Sequence, residues 1–241
     1  MDFFSKIILA SAAMLALVSC NKDDSHPSSS KRLVSPEAVD MGLSVKWASC
    51  NVGASKPEDY GRCYQWAGSQ DVTNTGIYLD WNNCPYHTGR NEETAWTKYI
   101  PSDKSSYWSG SGNPDNKTVL DPEDDVAHTN FGSKWRMPTQ KEWEELAKNC
   151  KWTWTDDYNK TGVAGKIATS NITGKSIFLP ATGLRYADKW DFKTTYGYYW
   201  SSSLSTDYPS YAYYTYVCYE SVNWLNYSMR KYGYFVRPVS D

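Results

Sequence analysis

Apolar and polar side chains alternate over residues 42–48 (GLSVKWA), which predicts a half-buried strand, because successive strand side chains point to opposite faces. Residues 55–61 (SKPEDYG) carry turn formers, and residues 64–67 (YQWA) read as a second short strand. From 69 to 117 the chain is polar and rich in Gly, Asn, Ser and Pro, yet it holds Trp81, Trp96 and Trp108. Disordered segments are poor in aromatics, so a long ordered loop is predicted there. Residues 121–130 (DPEDDVAHTN) start with a proline and acids, which suit a first helical turn. The strongest local signal is WRMPTQKEW at 135–143. Thr139 and Glu142 have capping-box spacing, and Trp143, Leu146, Ala147 and Cys150 fall at i, i+3, i+4 and i+7. Lys141, Glu144, Glu145 and Lys148 take the wet face, so a helix running to about Asn149 should lay its Trp face on a sheet. Further short strands are predicted at 176–182, 197–203, 211–217 and 232–239. Many short antiparallel strands, two helices and long aromatic-rich loops make an α+β fold.

Composition changes this picture in one respect. The 241 residues carry a formal net charge of −2, and no basic face argues for nucleic acid. Aromatics reach 16%, with 12 Trp and 20 Tyr against 6 Phe. Trp and Tyr join a large apolar body to a polar tip, so the core must be largely aromatic and many Tyr are left for the surface.

The N-terminus reads as an address. Lys6 precedes an apolar stretch over residues 7–18, too short to span a bilayer, that ends in Leu17-Val18-Ser19-Cys20. This resembles the lipobox of bacterial lipoproteins, which implies a signal peptide over 1–19 and acylation of Cys20, with outer-membrane lipid as its partner. Two or three acyl chains, at about 0.8 kcal/mol per buried methylene, anchor stably. Asn21-Lys22-Asp23-Asp24 is similar to the surface-export signal of Bacteroidota lipoproteins and implies display towards the cell exterior. Residues 20–36 form the lipidated Cys and a flexible tether, and residues 37–241 a single domain with no boundary linker.

Five further cysteines remain: Cys50, Cys63, Cys84, Cys150 and Cys218. An exported chain can form disulfides, and an odd count leaves at least one free, with Cys218 the expected leftover. Their spacings match no zinc pattern. Asp121, Glu123, Asp124 and Asp125 could ligate calcium, but an acid-rich helix start accounts for them, and His26, His87 and His128 stand far apart. No metal or cofactor site is expected. No nucleophile elbow, dinucleotide fingerprint or P-loop is present, and no particular carboxylate pair is marked for glycoside hydrolysis.

Five segments occur in one order: VDMGLSVKWA at 39–48, NVGA at 51–54, WRMPT with Glu142-Trp143 at 135–143, YWSSS at 199–203 and VRPV at 236–239. Together they resemble the Fibrobacter succinogenes major paralogous domain family, over nearly all of the mature chain. The resemblance implies a C-type-lectin-like fold, shared with the formylglycine-generating enzyme. It does not by itself imply an activity, since function sits in sites grafted on a fold. The enzyme branch needs paired reactive Cys in the C-terminal half, where this chain has only Cys150 and Cys218 far apart, so a non-enzyme is expected. The calcium loops of lectins of this type have only near misses here, Asn113-Pro114-Asp115 and Trp81-Asn82-Asn83, in the wrong order.

Residues 198–234 hold 11 of the 20 Tyr with 7 Ser, 2 Asn and 2 Trp. Alternation over 211–218 puts Tyr214, Tyr216 and Cys218 on one side and Tyr213, Thr215 and Val217 on the other, and only one side can be buried. Exposed aromatics mark interaction sites, and Tyr with Ser is the working composition of antibody binding loops. Tyr208, Tyr211, Tyr214, Tyr216, Tyr219, Trp224, Asn226 and Tyr227 are therefore the expected contacts for a glycan or cell-surface protein. Filling of an aromatic core is the competing explanation, and it suits Tyr199 and Trp200. The segment also resembles the variable region of target proteins of diversity-generating retroelements, rewritten at adenines. That implies variation at positions such as Ser205, Asp207, Tyr208, Ser210, Tyr211, Tyr214, Tyr216, Cys218, Tyr219, Asn223, Asn226, Tyr227 and Ser228, and explains a stray Cys218. A displayed binding module ranks first, an assembly subunit with the Tyr patch as its interface second, and an enzyme third.

Overall fold

The computed structural model describes residues 33–91, 95–102 and 111–241. The expected signal peptide at 1–19, Cys20, the expected tether up to residue 32 and Trp108 lie outside these residues. In chain order the described residues form β1 (Ala38–Val39), β2 (Lys46–Ala48), β3 (Cys63–Gln65), α1 (Val126–Phe131), β4 (Trp135–Arg136), α2 (Gln140–Asn149), β5 (Cys150–Thr155), β6 (Gly165–Ser170), β7 (Ser176–Pro180), β8 (Leu184–Tyr186) and β9 (Lys189–Asp191). They continue with β10 (Tyr196–Leu204), β11 (Tyr211–Cys218), β12 (Val222–Met229), β13 (Gly233–Phe235) and β14 (Val239–Ser240). Leu33–Asp241 form one unit. The architecture is mostly β, with two helices, and is α+β in the broad sense.

Three sheets share the strands. One has four, in the order β1-β2-β14-β4, and one has three, β5-β6-β7. The third has seven, ordered β12-β11-β10-β13-β8-β9, with β3 also on β13. Its centre is β13, parallel to β10 through Tyr199 and Phe235 and antiparallel to β3 and β8. That crowding explains Gly233, where an added Cβ would lie 2.7 Å from the Cys63 sulfur.

Helix α2 forms as its pattern predicts. The Thr139 hydroxyl accepts from the Glu142 amide at 3.3 Å, and the Glu142 carboxylate accepts from the Thr139 amide at 2.7 Å. Arg136 grips the same carboxylate with both terminal nitrogens, at 2.8 and 2.7 Å. Trp143 and Leu146 are buried among Trp47, Tyr199, Val217, Phe235 and Val239, the core between helix and sheets. A second core collects Trp66, Tyr64, Trp200, Tyr234, Val126 and Met137 on the other side of the seven-stranded sheet. A third, smaller one gathers Trp81, Trp96, Cys84 and Ile100, so this stretch of the polar loop region is held by its tryptophans.

Four expectations change. The strand at 42–48 shortens to β2, because Gly42 sits at φ +72° and its amide is held by the Asp40 carboxylate, which makes a turn. The helix at 121–130 divides into a 3-10 turn, Pro122–Asp124, and α1. Asp125 stands between them in extended backbone as the cap of α1, accepting from the amides of Ala127 and His128. Cys150 does not end the helical stripe but begins β5. The strand at 232–239 becomes β13 and β14, in different sheets, with buried Arg237 and Pro238 between them. Strands β6, β8, β9 and β12 carry no clear period-2 pattern and were not expected; β5 was not expected either, although Cys150 to Thr155 alternate apolar and polar, because Cys150 also fits the helical stripe.

Candidate functional site

The C-terminal ribbon is built from β10, β11 and β12. Register pairs Tyr198 with Tyr216 and Trp200 with Tyr214, then Tyr213 with Tyr227, Tyr214 with Asn226 and Tyr216 with Asn223. The ladder is irregular in two places, between Trp200 and Leu204 against β11 and between Tyr214 and Tyr216 against β12. Strand β12 is an edge of its sheet.

Both faces of the ribbon are aromatic. On one, Tyr196, Tyr198, Tyr214, Tyr216, Trp200 and Tyr234 form a plate of touching rings. Tyr198 lies 5.8 Å from both Tyr196 and Tyr214 and 5.3 Å from Tyr234, and Trp200 stacks on Tyr234 at 4.2 Å. Tyr234 is fully buried and bonds the Ser228 hydroxyl, whereas Tyr196, Tyr214 and Tyr216 stay half-open. On the other face Thr215 and Val217 are buried near α2, and a second cluster lies further along. There Tyr208 stacks on Tyr227 at 5.0 Å, and Tyr211 and Tyr213 meet the same ring at 5.8 and 6.4 Å.

The eight expected contact residues therefore do not share one surface. Tyr214, Tyr216 and Asn226 belong to the plate, Tyr208, Tyr211 and Tyr227 to the second cluster. Tyr219 stands 70% exposed at the turn between β11 and β12. Trp224 packs against the core under α2. The expectation of one buried and one exposed face of β11 fails, because tyrosines on each face cover one another and leave both half-open. Among the positions open to rewriting, Ser205, Ser210, Cys218 and Ser228 are buried, so changes there would act on packing rather than contact. Tyr196 and Tyr198 of the plate are not among the expected contacts, and only the strand register reveals them as its floor.

Burial pushes the Tyr214 phenol up to about 12, and the neighbouring Tyr216 phenol adds to this. Burial likewise raises Tyr198 and Tyr213. At neutral pH these hydroxyls keep their protons, so they can donate as well as accept, on rings that can stack. Such surfaces suit sugar hydroxyls and C–H faces, or the polar atoms of a protein partner.

The acidic cluster already holds an ammonium of the protein's own. Lys98 Nζ lies 2.6 Å from Asp121 and Asp124 and 3.2 Å from Glu123, and the Tyr86 and Tyr99 hydroxyls donate to Asp124. These three carboxylates could draw around a metal ion, but an ammonium stands among them. His87 is buried, with Nδ1 2.9 Å from the Trp81 carbonyl, and its ring meets Trp96.

The five cysteines are all unpaired and buried, so Cys218 is not the remainder of a disulfide set. Burial raises Cys50 and Cys63, carries Cys84 up to about 12, and takes Cys150 to about 11. Native protein at pH 8 should hence react slowly with a thiol-specific disulfide reagent, and all five thiols should react at once in denaturant. A fast-reacting thiol in the native state would return a nucleophilic cysteine to consideration.

Three buried arginines are marked by no periodicity, although Arg237 falls within the VRPV segment. Arg185, Arg230 and Arg237 donate to backbone carbonyls rather than to carboxylates. Arg230 stacks on Trp96 at 3.6 Å and bonds the carbonyls of Tyr99 and Pro209, tying the long loop to the start of the ribbon.

No family model matches the chain, and no curated protein and no solved structure matches it. Among the described residues no helix is long and apolar enough to cross a membrane.

Proposed function

We propose that this protein is a binding module with a C-type-lectin-like fold, of the Fibrobacter succinogenes major paralogous domain type. It is lipid-anchored through Cys20 at the outer membrane and displayed outward. It recognises a glycan or a cell-surface protein through the β10–β12 ribbon, whose composition can vary as in retroelement target proteins. One observation carries the reading. Tyr208, Tyr211, Tyr213, Tyr214, Tyr216 and Tyr227 touch other rings in two clusters yet stay partly or fully open to solvent. A chain that needed these rings only for stability would bury them, as it does Tyr64, Tyr199 and Tyr234.

The test is binding of the purified protein to a glycan array and to intact surface proteins. Tyr211→Ser with Tyr227→Ser, and separately Tyr214→Ser, should weaken the best binder roughly tenfold or more with the fold retained by circular dichroism, Tyr214→Ser lowering the melting temperature because that ring packs on the core. Equal binding by all variants would sink the reading. The edge position of β12 favours one second reading, a subunit that adds to a partner's sheet. Concentration-dependent self-association, lost with Leu225→Lys on the exposed edge, would favour that alternative.

A further inference from the structure

At the turn between β11 and β12 an open groove of about 340 Å³ is lined by Trp154, Tyr196 and Tyr219 together with Asp156 and Glu220. Trp154 comes from β5 and Tyr196 begins β10, so three separate elements build it. The Trp154 and Tyr219 rings meet edge to face, 6.4 Å apart at 78°, so they form two walls of an angle rather than one flat stack. Tyr196 joins this groove to the aromatic plate through Tyr198 and Tyr216.

The carboxylates are held where they are useful. Trp154 Nε1 donates to Asp156 Oδ1 at 2.7 Å, which keeps that acid beside the ring. Glu220 accepts from its own backbone amide and from the Cys218 thiol at 3.3 Å, and these hydrogen bonds favour its ionised form. Behind the turn stands Lys166, whose charge acts on Glu220 through space and helps keep it ionised. Its ammonium is buried and spent on the carbonyls of Cys218 and Tyr219, at 2.8 and 3.2 Å. Lys193, close in sequence, lies over the Trp190 ring at 3.6 Å. No lysine or arginine lines the groove.

We propose that this groove binds a substituted ammonium group. Faces of Trp and Tyr attract a cation through the ring quadrupole, and two carboxylates without a lining counter-charge set the sign. An anionic sugar would meet repulsion there. The carrier can be a quaternary ammonium headgroup or an amino sugar, since both offer a positive nitrogen on a small apolar body. The assignment goes beyond the binding-module reading by giving the tip of the ribbon a site of its own, apart from the Tyr211 and Tyr227 cluster, and it rests on that reading only in taking the ribbon as a binding element.

The experiment titrates the purified protein with choline and with glucosamine, each against an uncharged counterpart, 3,3-dimethylbutanol and N-acetylglucosamine, by ligand-observed NMR. The ammonium ligands should bind roughly tenfold more tightly than their counterparts, about the factor that 1.4 kcal/mol gives. The tighter of the two identifies the carrier. Glu220→Gln and Tyr219→Ala, both exposed and at the turn, should each weaken the ammonium ligand and leave melting unchanged. Trp154→Phe keeps an aromatic wall if Trp154→Ala fails to fold. Tyr211→Ser with Tyr227→Ser should leave this binding intact, which separates the groove from the second tyrosine cluster. Equal binding of charged and uncharged ligands, no binding of either, or full binding by Glu220→Gln and Tyr219→Ala would overturn the proposal.

Discussion

Arg237→Ala is expected to prevent stable folding. The guanidinium is fully buried and serves three acceptors on three segments: Asn51 Oδ1 at 2.8 Å, the Ala48 carbonyl at 3.0 Å and the Phe178 carbonyl at 2.8 Å. These segments are a loop, the end of β2 and β7, so one side chain joins the four-stranded sheet to the three-stranded one. Alanine would strand all three acceptors in a dry interior. Each costs about 1–3 kcal/mol, against the roughly 5–15 kcal/mol of total stability usual for a domain. Lysine in its place keeps a charge but not the planar fork, so Arg237→Lys should fall between the two. Soluble yield and thermal melting of the three proteins provide the check. A drop below about 3 °C for Arg237→Ala would mean that the joint is held by something else.

Trp143→Ala is the second large effect, about 3–5 kcal/mol. The ring lies 4.7 Å from Trp47 and 5.8 Å from Tyr199, and its indole N–H reaches the Trp200 carbonyl at 3.3 Å. Removing it opens a cavity where α2 meets two sheets and leaves that carbonyl short of a partner. For a chain of this size the melting temperature should fall by roughly 10 °C. Trp143→Phe fills most of the volume but loses the hydrogen bond, so its loss should be about a third of that. Equal losses for the two would place the cost in the hydrogen bond rather than in packing.

Much of this architecture was legible along the chain, and the reasons differ by segment. Helix α2 is specified within eleven residues, because capping box and apolar stripe are local patterns. Strands β7, β10 and β11 were readable because each is a short apolar or aromatic run between turn formers. The β5–β6 hairpin was not: Cys150 to Thr155 alternate apolar and polar, but Cys150 also fits the helical stripe of α2 and Lys166 and Thr169 dilute the signal of β6, so the pairing decides. The split of 232–239 also escapes a local reading, because Phe235 and Val239 both look like one strand until their partners in different sheets are known.

The Tyr-rich end shows the same division. Its composition is enough to nominate an interaction surface, and the order of five short segments is enough to suggest a family. What composition cannot say is which rings face outward. Pairing register, its two irregularities and the packing of α2 decide that, and they put Tyr214 and Tyr216 on one face, Tyr211 and Tyr227 on the other, and Trp224 against the core. The groove at the turn was invisible for the same reason: Trp154, Tyr196 and Tyr219 lie in three separate parts of the chain. By itself the sequence determined the helix, most of the longer strands and the chemistry on offer, because those follow from neighbours a few residues apart. Only the tertiary structure decided the strand pairing, the buried arginine joints and which tyrosines meet, because those depend on contacts between residues far apart in the chain.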